Sequence, residues 1–137
     1  MKEKDQNELT IKRACEHVED FHKTFNLPVE GEPTANIDLK TALLRYKLMR
    51  EENEEYLDAV QAGDLVEVAD ACGDMLYILC GTLITHGLQH KISEVFEEIQ
   101  RSNMSKTGPD GKPIYRKDGK VLKGPDYFKP DIRSILK

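Results

Sequence analysis

Residues 38–87 read DLKTALLRYKLMREENEEYLDAVQAGDLVEVADACGDMLYILCGTLITHG, and this stretch decides the fold. Apolar residues recur at helical spacing on both sides of Gly63, which predicts two helices joined by a tight turn. Gly63 tolerates the left-handed conformation that ends a helix. Asp64 and Glu67, three positions apart, are typical of a capped helix start. Because the connection is so short, the two helices are expected to be antiparallel neighbours.

Helical spacing predicts four helices in all, over about 7–25, 38–62, 64–87 and 92–104. The first is expected to bury Ile11, Ala14, Val18, Phe21 and Phe25. The second is expected to bury Ala42, Tyr46, Met49, Tyr56 and Val60, and the fourth Ile92, Val95, Phe96 and Ile99. Gly73 and Gly81 in the third helix indicate close approach by a neighbouring helix.

The end of the chain differs in composition from the rest. Residues 106–137 contain four glycines and four prolines, which predicts an irregular arm with a hairpin at Asp118-Gly119. The prediction is therefore an all-α fold in a single domain over 1–137, with a helical body over 1–105 and a basic arm after it. We expect oligomerisation to complete the helical bundle, as a homodimer or homotetramer.

Charge is divided unevenly along the chain. The net charge is −5, yet the arm carries nine Lys/Arg against four Asp/Glu. The helical body is therefore strongly acidic, which argues against nucleic acid as a partner because nucleic-acid-binding surfaces are basic. An acidic body suits a protein that binds cations. The basic arm either binds a polyanion or is a solvated tail.

The sequence shows no targeting or membrane segment. Residues 1–10, MKEKDQNELT, lack the apolar core of a signal peptide, and no apolar run approaches the roughly 20 residues that span a bilayer. Cys15, Cys72 and Cys80 are expected to be reduced core residues. We therefore predict a cytoplasmic protein without a membrane partner.

Carboxylates extend an apolar row of the first central helix. Leu44 and Leu48 form that row, and its continuation by helical spacing reaches Glu51, Glu52 and Glu55. A solvated charged face is the ordinary explanation of such a run. Its position in line with an apolar row indicates instead that the acids face another helix.

The same pattern recurs on the second central helix, where Glu67, Asp70 and Asp74 share one face. Antiparallel packing would place the two acidic clusters opposite each other, where like charges repel. A cation relieves that repulsion, and oxygen-only ligands favour Mg²⁺ or Mn²⁺. The alternative is that Glu67 or Asp70 pairs with a base on another helix. A di-iron bundle is excluded because it needs two Glu-x-x-His motifs, and only Glu19 to His22 has that spacing.

These residues resemble the signature of the all-α nucleoside triphosphate pyrophosphohydrolases, the MazG-like and dimeric dUTPase-like superfamily. The signature is Glu-x-x-Glu, a spacer, and Glu-x-x-Asp on the next helix. The matching segments are Leu48 to Glu55, Gly63-Asp64 and Gly73 to Tyr77, with Phe21-His22, Ser102 to Lys106, Asp118 to Lys120 and Lys123. One position departs from it, because Ala71 stands three residues before Asp74 where a glutamate is expected.

The resemblance implies Mg²⁺-dependent cleavage of a nucleoside triphosphate into monophosphate and pyrophosphate. The implied metal ligands are Glu52, Glu55, Asp70 and Asp74, with Mn²⁺ as an alternative cofactor. Asp70 would replace the glutamate missing at Ala71. Glu67 and Asp70 also match the Glu-x-x-Asp pattern, one helical turn away from its usual position. The resemblance therefore leaves two arrangements open for the fourth metal ligand. Glu51 is expected to orient or deprotonate the attacking water.

The resemblance also implies residues that contact the nucleotide. The candidates for the phosphates are Lys106, Lys120 and Lys123, with Arg116 and Tyr127 as weaker ones. Asn103 is expected to bind the sugar or a phosphate, or else to cap its helix. His22 contacts the base or is a buried core histidine, and Phe21 is expected in the core.

The resemblance leaves the substrate open between dUTP, a damaged or non-standard nucleotide, and a broad set of triphosphates. No residue or motif in the sequence identifies the base that the protein prefers. A catalytically silent helical protein that binds a nucleotide or a metal is the alternative outside the enzyme class, and Ala71 is the residue that supports it.

Overall fold

The structure, a computed structural model, describes residues 8–137 and is all-α in that range, which confirms the predicted fold class. Its helices are α1 (Ile11–Thr24), α2 (Leu39–Gln61), α3 (Leu65–Thr85), α4 (Ile92–Met104) and α5 (Ile132–Leu136). The chain forms two compact units. The first ends at His90 and contains α1, α2 and α3, and the second, Lys91–Lys137, contains α4 and α5. The basic arm therefore shares a unit with α4.

The α2–α3 hairpin is built as predicted. Asp38 caps α2, since its Oδ1 accepts from the Lys40 amide at 3.3 Å. Gly63 follows α2 with a φ of 66°, a left-handed conformation that favours glycine. Asp64 then caps α3 by accepting from the Glu67 amide at 3.2 Å. All these contacts are local, which is why the sequence pattern predicts them correctly.

α1 begins later than predicted. Thr10 caps this helix, because its hydroxyl accepts from the Arg13 amide at 3.1 Å. Ile11 is therefore the first helical residue. The predicted start at Asn7 lies outside the described residues.

The predicted apolar stripes are largely exposed on the described chain. Large side chains at least 39% exposed include Phe21, Phe25, Tyr46, Tyr56, Val60, Phe96 and Ile99. The prediction that these side chains are buried is wrong for a single chain. α1 instead buries Cys15, Val18 and His22, and α2 buries Ala59. Hydropathy identifies the apolar stripe, whereas the faces that meet in the fold determine which stripe is buried.

α3 is the central helix of its unit and packs against both α1 and α2. By length and composition alone, Leu65–Thr85 could cross a membrane. Asp70 and Asp74 lie within it, and α1 and α2 pack on it, so core packing explains the buried part of its apolar content. The cytoplasmic location remains a prediction.

One further prediction about the first unit is wrong for a single chain. Cys72 is exposed, although Cys15 and Cys80 are buried and free as expected. Apart from α3 itself, no atom of the described residues lies within 4 Å of the position that a Cβ on Gly73 would occupy. Close approach at Gly73 by a helix of a second subunit stays a prediction. At Gly81 the approach is made by side chains and not by a helix backbone.

In the unit Lys91–Lys137, hydrogen bonds join the arm to α4. Ser102 Oγ donates to the Phe128 carbonyl at 2.8 Å. The Gly124 amide donates to the Lys106 carbonyl at 3.0 Å. The start of the arm and its later half are therefore both anchored at the end of α4.

The predicted hairpin in the arm is confirmed. Tyr115 and Val121 form an isolated antiparallel bridge, and Gly119 at the turn has a φ of 90°. The short helix α5 was not predicted. Asp131 caps it by accepting from the Ser134 amide at 3.3 Å.

Candidate functional site

Glu52 is the carboxylate around which the candidate site is built. It is half-buried, and its Oε2 atom is buried without a hydrogen-bond partner among the described residues. Desolvation raises the pKa of Glu52, and the neighbouring carboxylates Glu55, Asp74 and Asp70 raise it further, to about 7. Glu52 therefore lies close enough to the other three predicted metal ligands, Glu55, Asp70 and Asp74, for their charges to act on it.

No basic side chain in the described range balances this cluster. The ion pairs within 4.0 Å do not involve Glu51, Glu52, Glu55, Glu67, Asp70 or Asp74. Glu54 differs from these acids because it pairs with Arg50 at 3.8 Å. Within residues 8–137 the alternative that Glu67 or Asp70 pairs with a base of another helix therefore finds no support.

The donor chemistry fits a hard divalent cation. All four side chains are carboxylates, and oxygen ligands suit Mg²⁺ and Mn²⁺. The Oε2 atom of Glu52 needs a proton or a cation, because an unpaired buried carboxylate oxygen is costly. In the described range no three His, Cys, Asp or Glu residues are gathered closely enough to enclose an ion. A bound ion would therefore require these carboxylates to lie closer together.

The position of Ala71 bears on the fourth ligand. Ala71 is only 2% exposed, so a glutamate at this position would enter the core. Asp70 is exposed and is among the groups that raise the pKa of Glu52, whereas Glu67 is not. Of Glu67 and Asp70, only Asp70 therefore has a charge that acts on Glu52, and the choice between the two arrangements stays a prediction.

Arg45 lies on the same face of α2 as Glu52, and sequence reasoning missed it. Its Nε donates to Thr82 Oγ1 at 3.1 Å, and its Nη2 donates to the Ile78 carbonyl at 2.7 Å. Burial lowers the pKa of the Arg45 guanidinium below its ordinary value. The signal that could have found it is spacing, because Arg45 precedes Glu52 by seven residues, two turns of helix.

His22 is 2% exposed, which agrees with one of its two predicted roles. Its Nδ1 donates to the Pro28 carbonyl at 2.9 Å, because a carbonyl oxygen can only accept. His22 and Arg45 both line a cavity of about 770 Å³. The contact between His22 and a base stays a prediction.

The remaining predicted site residues, Asn103, Lys106, Lys120 and Lys123, belong to the unit Lys91–Lys137. Lys106 is half-buried and the other three are exposed. The Nζ of Lys123 lies 4.8 Å from the centre of the Tyr127 ring. Arg116 pairs with Asp118 and holds the pKa of that carboxyl below its usual range, which makes Arg116 less available to a phosphate.

Residues 18–103 match the phosphoribosyl-ATP pyrophosphohydrolase family. An uncharacterized protein of Acanthamoeba polyphaga mimivirus is 33% identical over 92 residues, which cover 65% of this chain and 37% of that protein. The chain therefore spans little more than a third of the length of this relative. A solved structure of a candidate NTP pyrophosphohydrolase from Exiguobacterium sp. 255-15 is 28% identical, covers 88% of this chain and 90% of its own, and has a TM-score of 0.45.

The family match includes more than half of the chain and contains the whole α2–α3 hairpin. All four clustered carboxylates lie inside it. The protein belongs to the phosphoribosyl-ATP pyrophosphohydrolase family, whose members are all-α nucleotide pyrophosphohydrolases.

Proposed function

We propose that the protein cleaves nucleoside triphosphates into monophosphate and pyrophosphate with Mg²⁺, or Mn²⁺ in its place. The proposed metal ligands are Glu52, Glu55, Asp70 and Asp74. The observation that carries the proposal is the buried Oε2 atom of Glu52, which lies among carboxylates and has no hydrogen-bond partner in the described residues. A cation supplies the partner that this atom lacks. Membership of the family supports the reaction class.

When bound, the metal ion would neutralise phosphate charge and so expose phosphorus to attack by water. Glu51 is exposed on α2 next to Glu52, so its carboxylate is free to accept a proton from the attacking water. The water oxygen forms a bond to phosphorus while the α–β phosphoanhydride bond breaks. The products are the nucleoside monophosphate and pyrophosphate.

The basic arm is proposed to bind the phosphates. Lys120 and Lys123 are exposed, and Lys106 is half-buried at the anchored start of the arm. Ammonium groups act as point charges toward phosphate oxygens. Asn103 is proposed to donate to the sugar or to a phosphate.

The proposed substrates are dUTP, a damaged or non-standard nucleotide, or a broad set of triphosphates. The description of the family adds phosphoribosyl-ATP to these candidates. All four share the phosphoanhydride bond that the proposed reaction breaks. They differ in the base and in the groups attached to it.

The protein is also proposed to act as a homodimer or homotetramer. Large apolar side chains on α2 and α3 are exposed, among them Leu57 (54%), Leu65 (78%) and Val66 (76%). Apolar surface of this extent marks an interaction site. A second copy would cover it and complete a four-helix bundle.

The direct test is to incubate the purified protein with dUTP, dUDP, dCTP, the other dNTPs and phosphoribosyl-ATP, in Mg²⁺, Mn²⁺ or EDTA. Monophosphate, pyrophosphate and phosphate are then measured. Metal-dependent release of pyrophosphate supports the proposal. Turnover limited to dUTP and dUDP indicates a dUTPase, and turnover across triphosphates indicates broad specificity. No turnover in either metal would overturn the proposal. It would favour the alternative that Ala71 supports, a catalytically silent protein that binds a nucleotide or a metal.

A further inference from the structure

Arg45 carries a positive charge that no acidic side chain balances within residues 8–137. No Asp or Glu of that range lies within 4.0 Å of its guanidinium. Its bonds to Thr82 and Ile78 use two of its five N–H groups, so three remain to bind something else. A half-buried cation without a counter-ion is unfavourable, so the Arg45 guanidinium is suited to bind an anion.

Gly81 makes the space in which this guanidinium lies. A Cβ at this position would clash with Nη2 of Arg45 and lie 3.1 Å from its Cζ. The same Cβ would lie 2.9 Å from Nε2 of His22. Alanine favours a helix more than glycine does. The glycine in mid-helix is therefore explained by the room that it leaves for Arg45 and His22.

His22 places a hydrogen-bond acceptor beside the Arg45 guanidinium. Its Nδ1–H is used by the Pro28 carbonyl at 2.9 Å, so in the neutral ring Nε2 carries a lone pair. Nε2 makes no hydrogen bond within the described residues, although His22 is 2% exposed. A buried histidine with one occupied and one free nitrogen is suited to accept from a hydroxyl group of a ligand.

The cavity that Arg45 and His22 line is basic. It has a volume of about 770 Å³, and Lys40 and Lys47 line it together with Arg45 and His22. No Asp or Glu among the described residues lines it. Leucines of α2 form much of the remaining wall, which lowers the local dielectric and strengthens attraction for an anion.

We propose that this cavity binds a phosphoryl oxyanion through Arg45. His22 accepts a hydrogen bond from a hydroxyl group that is attached to the phosphorus or lies next to it. Arginine presents paired N–H donors that match two phosphate oxygens. The cavity is distinct from the carboxylate cluster, because Arg45 and Glu52 are seven residues apart on α2, about 10 Å along the helix. The phosphoryl group is either free phosphate or part of a nucleotide. The inference does not require that the protein hydrolyses anything.

The test is calorimetric titration of the full chain in EDTA with inorganic phosphate and, separately, with UMP and AMP. Arg45→Gln should weaken binding by at least about tenfold, since charge-assisted paired bonds are lost. Arg50→Gln is the matched control, because Arg50 is an exposed arginine of the same helix paired with Glu54, and it should bind like the wild type. Because the titration is run in EDTA with ligands that have no phosphoanhydride bond, its outcome does not depend on the proposed hydrolysis.

Binding of inorganic phosphate that is lost in Arg45→Gln identifies a site for the free anion. Binding of the monophosphates alone, with the same loss, identifies a site for a phosphoryl group of a nucleotide. Absence of binding by all three probes overturns the inference, and so does equal binding by Arg45→Gln and the wild type. If Arg45→Gln does not fold, the double variant Lys40→Ala with Lys47→Ala replaces it. That variant should lose affinity in the same titrations, and unchanged affinity would overturn the inference.

Discussion

Glu52 on α2 is close enough to Asp74 on α3 for the Asp74 charge to act on it, and no basic side chain of the described residues pairs with either. Desolvation first, and then the charges of Glu55, Asp74 and Asp70, raise the pKa of Glu52 to about 7. In the metal-free protein these carboxylates repel each other. A bound cation would remove the repulsion, and the stability of the protein should therefore respond to metal and to pH.

Adding Mg²⁺ should raise the melting temperature of the wild-type protein. A cation that binds only the folded state stabilises it by about 2.7 kcal/mol at a hundredfold excess over its Kd, equivalent to several degrees. Glu52→Gln and Asp74→Asn should each lose most of this shift in a thermal melt with Mg²⁺ against EDTA. Glu54→Gln is the matched control, because Glu54 pairs with Arg50 at 3.8 Å. The same shift in all variants would rule out metal binding by the cluster.

Without metal, Glu52 should make the protein less stable as pH rises from about 4.5 to 7. Its pKa is about 7 in the folded protein and near the ordinary 4.5 when unfolded. Between these values the folded state binds more protons, so the free energy of unfolding falls as pH increases. Urea unfolding in EDTA should show this fall as the difference between the wild type and Glu52→Gln. A difference that stays constant between pH 4.5 and 7 would contradict the shifted pKa.

Glu51→Gln should lower kcat by about 10²-fold or more, the usual contribution of a general base. Glu51 is not one of the proposed ligands, so the Mg²⁺-dependent rise in melting temperature should persist in this variant. The control is again Glu54→Gln, with turnover near that of the wild type. Near-normal turnover by Glu51→Gln would remove Glu51 from the mechanism.

Charged residues on the exposed apolar face should disrupt the proposed oligomer. Leu57 and Val66 are 54% and 76% exposed on the described chain. Leu57→Glu with Val66→Glu should shift the mass measured by light scattering toward the monomer, because burying a carboxylate in an apolar interface is costly. Lys12→Glu on α1 changes a side chain that is 83% exposed and should leave the mass unchanged. A monomeric wild type would refute the proposed assembly.

Local signals explain why the helical hairpin could be predicted from the sequence. Gly63 and Asp64 act through their own φ angle and through a hydrogen bond three residues away. Such features do not depend on the rest of the fold. The clustering of Glu52 with Asp74 follows from the same turn, since two antiparallel helices in register place these positions opposite each other.

The buried faces could not be predicted in the same way. Phe21 of α1 and Phe25 directly after it are large apolar side chains, yet they are 40% and 60% exposed while Cys15 and His22 are buried. Arg45 escaped notice because a search for apolar stripes passes over a charged residue that packs between helices. Its bonds to Ile78 and Thr82 cross more than thirty residues of sequence, and no local pattern encodes them.

The most direct test of the central claim is pyrophosphate release from nucleoside triphosphates by the wild type, Glu52→Gln and Glu54→Gln, in Mg²⁺ and in EDTA. The carboxylate cluster predicts release by the wild type and Glu54→Gln in Mg²⁺ only, and a loss of at least about a hundredfold in Glu52→Gln. Release that persists in EDTA, or in Glu52→Gln at the wild-type rate, would contradict a metal-dependent hydrolase built on Glu52.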